Sequence, residues 1–227
     1  MRCNAFALGA TLAAAAFLPL APAIAGGEGQ GDGATPKAAL QPPAAAARWR
    51  GELLRAAHAE WGLNAPIAAM AAQVQQESGW NAQAVSRAGA RGMAQFMPAT
   101  ARWWCARTKT PAEDCLPHNP RWALRALAGY DAYLYKRMGN HFPHLGRFDR
   151  FWLTLRAYNG GEGNITKEAA TLGLKAPSRT QIDAACGARG RSRAHCNENT
   201  TYPRRILLTL QPRYALWGPV WTEEDEE

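Results

Sequence analysis

Beyond residue 25 the sequence lacks a run of about 18 uninterrupted apolar residues, the length that a helix needs to cross a bilayer. The apolar stretch over residues 6–21 is short, contains proline and follows a single positive charge at Arg2. The next residues, Ala23-Ile24-Ala25, fit an A-x-A cleavage site. A membrane anchor is the alternative, but the pattern favours a signal peptide cleaved after Ala25. We therefore expect an exported protein, periplasmic or secreted, with no transmembrane segment after cleavage.

Strand-like alternation of apolar and polar residues is nearly absent, and no internal repeat of solenoid length occurs. Apolar residues instead recur at spacings of three and four, which predicts a mostly α chain. Asn64 and Asn119 are candidate N-caps, and Gly79 is a candidate left-handed cap. We expect helices over residues 46–61, 65–78, 98–107, 120–138 and 148–160, with shorter ones near 165–172, 180–186 and 202–210. Long polar loops between them favour a helical domain that carries a cleft.

Composition divides the chain into four parts, of which residues 1–25 are the signal peptide. Residues 26–46 are rich in Gly, Ala, Pro and Gln. Such a segment buries too little surface to offset its ordering entropy, so we expect a flexible leader. Residues 47–221 are long enough for one domain with one core, which we expect to be monomeric. Residues 222–227 form an acidic tail.

The sequence contains no C-x-x-C motif and no histidine pair at metal-ligand spacing, which argues against a zinc site. Four cysteines remain after signal cleavage, so three pairings are possible. The two short loops, Cys105–Cys115 and Cys186–Cys196, are the simplest choice for an exported chain. We expect these disulfides to staple loops, and we expect neither a metal nor a cofactor.

Acidic residues are outnumbered by basic ones, 18 to 26, for a formal charge of +8. Removal of residues 1–25 takes away Arg2 alone among charged residues, which leaves +7. A basic exported protein is drawn to anionic polymers such as wall peptide stems, wall acids or nucleic acid. Charge alone does not choose among these partners, although export argues against nucleic acid.

Glu77 stands at the end of an apolar helical stripe formed by Ile67, Met70, Ala71 and Val74. Its spacing continues the stripe, so its carboxylate is expected on the core side. Burial disfavours the ionised form and raises a carboxyl pKa, which is the condition that a general acid needs. The alternative is a glutamate that reaches solvent or pairs with Arg91 or Arg102.

Several further motifs follow in order, and together they carry a family resemblance. They read Glu77-Ser78-x-Trp80, Ser86, Gly89-Ala90-x-Gly92, Gln95-x-Met97-Pro98-x-Thr100 and Ala157-Tyr158-Asn159-x-Gly161. This series resembles the soluble lytic transglycosylase family over roughly Arg48 to Trp217. The resemblance implies a lysozyme-like fold, related to goose-type lysozyme, and a substrate of peptidoglycan glycan strands.

By that resemblance, Glu77 is the sole catalytic acid and base. It protonates the oxygen between N-acetylmuramic acid and N-acetylglucosamine, then deprotonates the C6 hydroxyl, which closes a 1,6-anhydro ring without water. An intramolecular nucleophile removes the need for the second carboxylate of ordinary glycosidases. Asp131, Asp149 and Glu162 lie outside comparable motifs, and we interpret Glu162 as a rim residue.

The resemblance also implies the residues that line the cleft. Ser86 and Gln95 are expected to hydrogen-bond the N-acetyl group and ring substituents of the sugar, and Met97 is expected to pack against a sugar face or close the core. One position departs from the family pattern, because Ala94 stands where members usually carry a large residue before the glutamine. That change leaves the shape of the subsite open.

Two residues of the distant motif, Tyr158 and Asn159, also match family positions that line the cleft and bind substrate, and both are expected near Glu77. The hydroxyl of Tyr158 is predicted to hold the Glu77 carboxyl, although Tyr158 also fits a core aromatic position. Asn159 is predicted to support the turn before Gly160. Ser78 is assigned a local role at the helix end. Residues 202–205 receive no catalytic role.

Three tryptophans, Trp80, Trp103 and Trp104, are candidates for stacking on sugars, although tryptophan at helical spacing is more often core. Two alternative functions remain, a goose-type muramidase that uses water and a non-catalytic peptidoglycan-binding protein. The biological setting stays open among wall turnover, a secretion or conjugation apparatus, and phage-derived wall penetration.

Overall fold

The computed structural model describes residues 41–225, and these fold into a mostly α-helical domain, as predicted. The predicted signal peptide and most of the predicted leader lie outside the described residues. The helices are α1 (Ala44–Ala47), α2 (Arg50–Trp61), α3 (Ile67–Ser78), α4 (Pro98–Arg107), α5 (Pro120–His141), α6 (Arg147–Gly160), α7 (Glu162–Ala170), α8 (Arg179–Ala184) and α9 (Arg193–Arg204). Shorter turns of 3-10 helix cover Ala112–Asp114, Gln211–Tyr214 and Glu223–Asp225, and a π-helical segment covers Arg205–Leu210.

Two helices form the centre of the domain, α3 and α6. Eight residues of α3, from Ile67 to Val74, are buried, and so are nearly all residues of α6 after Arg150. The segment over residues 205–214 packs on α3, α2 packs on α5, and α6 contacts α5, α7 and α9. The C-terminal end of α3 reaches α9 through Glu77 and Tyr202, and it lies near Tyr158 of α6. The predicted catalytic glutamate therefore stands where three elements meet.

Helix boundaries follow the predicted caps in part. Gly79 ends α3 in the left-handed region at φ 60°, as predicted. The side chain of Asn119 accepts hydrogen bonds from the first amides of α5, which confirms it as an N-cap. Asn64 does not cap α3, because Pro66 occupies that position without a side-chain bond.

Other boundaries differ from prediction. The first predicted helix is divided into α1 and α2, and Ala46, the last residue of the predicted leader, is fully buried in the core. Helix α5 continues through Gly139 to His141. Helix α9 begins at Arg193, well before the predicted helix near Tyr202, because Ser192 caps it by accepting from the His195 amide.

Both short disulfide loops are confirmed. Cys105 and Cys115 are joined with their Cα atoms 6.0 Å apart, and Cys186 and Cys196 with theirs 5.6 Å apart. The second bridge lies within reach of the Glu168 carboxylate, and the three side chains are close enough to hold a metal. Because both sulfurs are oxidised to a disulfide, they do not offer thiolate ligands.

Among the helices over residues 41–225, none combines the length and the apolar character that crossing a bilayer requires. The predicted acidic tail begins inside the described part, where Glu223 pairs with Arg179 at 2.7 Å. The tail is thus joined to the domain through α8.

Candidate active site

Glu77 lies in the last turn of α3, and its carboxyl group is enclosed by protein although the residue as a whole is half-buried. Its Oε1 accepts a hydrogen bond from the hydroxyl of Tyr202. Burial raises the pKa of Glu77 to about 8, the nearby charge of Glu198 adds to the rise, and the Tyr202 hydrogen bond opposes it. Neither Arg91 nor Arg102 forms an ion pair with Glu77 in the described part of the chain. Glu77 therefore holds a proton at neutral pH.

The tyrosine that contacts Glu77 is not the predicted one. The hydroxyl of Tyr158 donates instead to the carbonyl of Ala94 at 2.6 Å, so the prediction that it holds the Glu77 carboxyl is wrong. Tyr202 takes this role from α9, in a segment to which the sequence assigned no chemistry. The physical reason is position, since both tyrosines are buried but lie on different helices. Tyr158 lies on the buried side of α6 and reaches the loop after α3, whereas Tyr202 faces the end of α3.

Tyr202 is brought to Glu77 by a buried polar network between α6 and α9. Asn199, fully buried and one turn before Tyr202, donates to the carbonyl of Arg156 at 2.8 Å and to Oδ1 of Asn159 at 3.0 Å. The Arg156 guanidinium, also fully buried, donates from Nε to Oδ1 of Asn199 at 3.0 Å. These bonds hold α9 in one register against α6.

The same guanidinium reaches two further helices. Arg156 pairs with Glu168 on α7 at 2.8 Å and with Asp183 on α8 at 2.9 Å. Arg191 joins the cluster by pairing with Glu168 at 3.0 Å. A buried charge is stable when it is paired and fully hydrogen-bonded, and Arg156 satisfies both conditions. It thereby connects α6, α7, α8 and α9 behind the site.

Asn159 was predicted to support a turn. It lies instead within α6, and its Oδ1 accepts a hydrogen bond from Asn199 on α9. Burial raises the pKa of the nearby Glu198 carboxyl, and its interaction with the Asn159 side chain lowers it. Glu198 is half-buried and close enough to raise the pKa of Glu77. It is a second carboxyl beside the site, and sequence reasoning missed it because it belongs to no motif near Glu77.

The loop after α3 is held in place by its own side chains. The Ser78 hydroxyl donates to the carbonyl of Met93 at 2.8 Å, which ties the end of α3 to the loop and supports the local role assigned to Ser78. Ser86 accepts from the Ala90 amide at 2.9 Å within a tight turn. Gly92 has φ 74°, and a Cβ there would meet the carbonyl oxygen of Pro117 at 1.7 Å, so the position requires glycine.

Three of the predicted cleft residues meet in one small pocket. Gln95, Met97 and Tyr158 line it together with Phe96, Thr100 and Tyr130. Gln95 adopts φ 48° and donates from Nε2 to the carbonyl of Gly92 at 2.8 Å, so its amide is fixed. Ser86 and Asn159 are not among the lining residues of this pocket.

The pocket adjoins Glu77 through Tyr158. Burial raises the pKa of Tyr158, and the nearby carboxyls of Glu77 and Asp131 raise it further. Ala94, whose small size left the subsite shape open, is fully buried, and its carbonyl receives the Tyr158 hydroxyl. The departure from the family pattern therefore falls in the core beside the pocket.

Asp131 is fully buried on α5, where its Oδ1 accepts from Nε2 of Gln73 at 3.3 Å. Burial raises the pKa of Asp131 well above its usual range, and the charge of Glu77 adds to the rise. Its other oxygen, Oδ2, and Oε1 of Gln73 are buried without a hydrogen-bond partner. With no exposure, Asp131 does not reach a bound substrate.

The other two acidic residues weighed in the sequence are engaged elsewhere. Glu162 binds Arg137, and it lies 3.2 Å from Nε2 of His141. Asp149 binds Arg179. Both carboxylates form contacts between helices, and Glu162 is also near enough to Tyr130, a lining residue of the pocket, to raise the pKa of that tyrosine.

The tryptophans divide between core and surface. Trp80 is 1% exposed and donates from Nε1 to the Tyr214 hydroxyl at 2.8 Å, so it is a core residue. Trp104 is half-buried, and Trp103 retains 41% exposure.

Comparison with known proteins gives a consistent family. A family model described as the transglycosylase SLT domain matches residues 53–178. Two curated proteins named membrane-bound lytic murein transglycosylase F, from Alteromonas mediterranea and Alcanivorax borkumensis, are each 32% identical over 96 residues. That match covers 42% of this chain and 18% of each relative, so the chain corresponds to a small part of their length.

Two solved structures are similar in fold. An inactive variant of the lytic transglycosylase Slt from Pseudomonas aeruginosa superposes with a TM-score of 0.56 at 20% identity, over 78% of this chain and 26% of that one. The 70 kDa soluble lytic transglycosylase Slt70 from Escherichia coli gives a TM-score of 0.54 at 21% identity, over 75% and 25%. This likeness confirms the predicted lysozyme-like fold.

Proposed function

Because the chain belongs to the transglycosylase SLT domain family, we propose that it is a lytic transglycosylase that cleaves peptidoglycan glycan strands with Glu77 as its catalytic acid and base. The observation that carries the proposal is the Glu77 carboxyl itself. It is enclosed at the end of α3, and burial raises its pKa to about 8. The hydroxyl of Tyr202 orients it. The matched residues include Glu77 and the pocket beside it, whereas Tyr202 lies beyond them.

The reaction begins with Glu77 protonated. Its proton passes to the glycosidic oxygen between N-acetylmuramic acid and N-acetylglucosamine as the bond from that oxygen to C1 breaks. The C6 hydroxyl of the same muramic acid attacks C1, and its proton returns to the Glu77 carboxylate. Atoms balance without water, the product carries a 1,6-anhydro ring, and Glu77 is again protonated for the next cycle.

Tyr202 has a defined part in this cycle. Its hydroxyl donates to Oε1 of Glu77, so the transferable proton belongs on Oε2. The same bond stabilises the carboxylate formed after the first step, since hydrogen bonding to the charged form favours it. A pKa near 8 suits both steps at neutral pH, because the ideal catalytic pKa lies near the operating pH.

Substrate contacts are assigned to the pocket beside Glu77. Gln95 and Tyr158 offer fixed polar groups, and Met97 offers an apolar, adaptable surface for a sugar face. Ser86 lies in the neighbouring turn, where its oxygen accepts from Ala90 while its proton remains free to bind an acyl oxygen. Asn159 acts indirectly, through α9.

Export is part of the proposal. Two disulfides persist in oxidising compartments, which fits the periplasm or the cell exterior, where peptidoglycan is found. The net positive charge favours contact with the acidic peptide stems of the wall.

A second candidate function, hydrolysis of the same bond, is favoured by one observation. Glu198 is a half-buried carboxyl near Glu77, and in a muramidase it would activate water. Its interaction with Asn159 and its place on α9 instead favour a supporting role.

Product analysis tests the proposal. Purified peptidoglycan digested with the protein should release fragments that are lighter by one water than hydrolysed ones, as measured by mass spectrometry. The matched control, Glu77→Gln, keeps the shape of the side chain and should show no cleavage. Fragments with reducing muramic acid ends would favour the muramidase, and full activity in the control would overturn the role of Glu77.

A further inference from the structure

A face of aromatic side chains extends outward from the pocket between α4 and α5. On α4, Trp103 and Arg107 are one turn apart, and on α5, Tyr130 and Tyr133 are one turn apart. Residues at these spacings share one side of a helix. We call these four residues the α4–α5 face.

The face is continuous with the pocket beside Glu77. Tyr130 is itself a lining residue of that pocket, with its ring centroid 5.5 Å from that of Tyr158. The rings of Tyr130 and Tyr133 are nearly parallel, at 11° and 6.2 Å. The Trp103 ring lies 6.1 Å from Tyr130 and 5.4 Å from Tyr133. A glycan strand that leaves the pocket on this side would next meet Trp103.

Helix packing does not account for the exposure of Trp103. The neighbouring Trp104 joins α4 to α5, since its ring approaches Gly129 so closely that a Cβ there would lie 2.8 Å from it. Trp103 remains 41% exposed beside this contact. A large, flat and partly exposed ring next to a sugar-binding pocket offers an apolar platform for the face of a pyranose.

The face also carries an unpaired positive charge. The Arg107 guanidinium carbon lies 4.4 Å from the centroid of the Tyr133 ring and 5.8 Å from that of Trp103. Among the ion pairs formed by residues 41–225, none includes Arg107, whereas Arg137, which also lies over the Tyr133 ring, binds Glu162. Arg107 lies closer to the Tyr133 ring than to the Trp103 ring, and Trp103 is the more exposed of the two. Trp103 is therefore the more accessible ring for stacking, with a cation near it.

We propose that the α4–α5 face is an additional glycan subsite, in which Trp103 stacks on one sugar ring and Arg107 binds a carboxylate carried by the same strand. The ligand class is an N-acetylated β-1,4-linked saccharide with an acidic substituent, as on a muramic acid with its peptide stem. This subsite rests on the proposed function, because it extends the same strand beyond the cleaved bond.

Binding measurements on the inert Glu77→Gln protein test the subsite without turnover. Isothermal titration would compare three probes: a short neutral oligomer of β-1,4-linked N-acetylglucosamine, a longer neutral oligomer, and a peptidoglycan fragment with intact peptide stems. Adding Trp103→Ala should weaken the binding of the longer oligomer about tenfold, with little effect on the binding of the short one. Adding Arg107→Ala should weaken the binding of the peptide-bearing fragment about fivefold and leave the affinities for the neutral oligomers unchanged.

Matched controls separate this subsite from general surface effects. Arg102→Ala removes an exposed arginine from another side of α4, and Leu63→Ala removes an exposed apolar side chain elsewhere. Both should leave all three affinities unchanged. Thermal melting of each variant should match the parent, because the side chains removed are exposed.

The outcomes are distinct. Equal affinities for Trp103→Ala and the parent, with the parent binding normally, would overturn the subsite and leave the proposed function standing. No binding of any probe by the parent would overturn the proposed function and the subsite with it. If Trp103→Ala lowered the affinity for all three probes alike, the defect would lie in the pocket rather than in an added subsite. That result would also overturn the inference.

Discussion

The hydroxyl of Tyr202 donates a hydrogen bond to Oε1 of Glu77 across 125 residues of sequence. Burial raises the pKa of the Glu77 carboxyl to about 8, and this bond acts in the opposite direction. The two effects together hold the proton at neutral pH and limit how tightly it is held. The position of α9 therefore sets the protonation of a group on α3.

The first prediction concerns pH. A general acid must be protonated, so kcat/KM should be lost as pH rises through the Glu77 pKa of about 8. Initial rates of glycan release, measured across the neutral and alkaline range, should fall about tenfold per pH unit above that value. Loss of activity near the ordinary glutamate pKa of 4.5 would contradict an enclosed carboxyl.

Tyr202→Phe should change both the rate and its pH dependence. The variant removes a hydrogen bond that lowers the Glu77 pKa, so the alkaline limb of the pH–rate profile should move to higher pH. Loss of orientation should lower kcat by about tenfold or more. Tyr158→Phe is the matched control. It leaves the Ala94 carbonyl without its donor, which costs about 1–3 kcal/mol of stability but should leave the alkaline limb in place. Equal pH profiles for both variants would contradict the assignment of Tyr202.

Glu198→Gln should shift the same limb in the other direction. Glu198 raises the Glu77 pKa by its charge, so the neutral variant should lose activity at a lower pH than the parent. The product should still be the anhydro form, as mass spectrometry would show. Glu113→Gln, at an exposed position far along the chain, serves as the control. If Glu198→Gln abolished all cleavage at every pH while the protein stayed folded, Glu198 would be required for the chemistry itself.

Asp131→Asn should stabilise the protein above acidic pH. The folded pKa of Asp131 lies above its unfolded value, so the folded state binds more protons and stability falls as pH rises from about 4. An amide needs no proton and also offers a donor to the partnerless Oε1 of Gln73. We expect a gain of about 1–2 kcal/mol at neutral pH and a flatter dependence of Tm on pH. A lower Tm at neutral pH would show that the carboxyl is needed.

Arg156→Ala should be strongly destabilising, because it leaves the fully buried Glu168 without its partner on α6. Removing one member of a buried ion pair costs about 3–5 kcal/mol. Urea unfolding monitored by circular dichroism would measure the loss. The control Arg102→Ala, on the surface of α4, should change stability by less than about 0.5 kcal/mol. Similar effects for both would contradict the role of the buried network.

Local patterns predicted much of the fold. Periodic apolar residues and the cap at Gly79 gave correct helices for α3, α4 and α6, and Asn119 gave the correct start of α5, because such signals act within a few residues. The first helix was predicted without its break near Trp49, and α5 was ended too early at Gly139. A single glycine is tolerated in a helix when tertiary packing supports it, as Arg150 does here.

The candidate site was predicted less completely. Glu77, Gln95 and Met97 were proposed from the sequence because their motifs lie in one continuous segment. Tyr158 was placed in the right region with the wrong partner, and Glu198 and Tyr202 were missed. A signal was present, since both lie on one face of α9, but nothing in that helix indicates which other helix it meets.

The sequence by itself determined a helical chain and one glutamate at the end of an apolar stripe, and it favoured two short disulfide loops, because each depends on residues that are close along the chain. The tertiary structure alone decided which tyrosine reaches Glu77 and which carboxyl raises its pKa. Those contacts depend on α9 docking against α6 through Asn199 and the buried Arg156. Hydrogen bonds and desolvation are set by distances in space, so a partner 125 residues away acts on Glu77 only after the core has assembled.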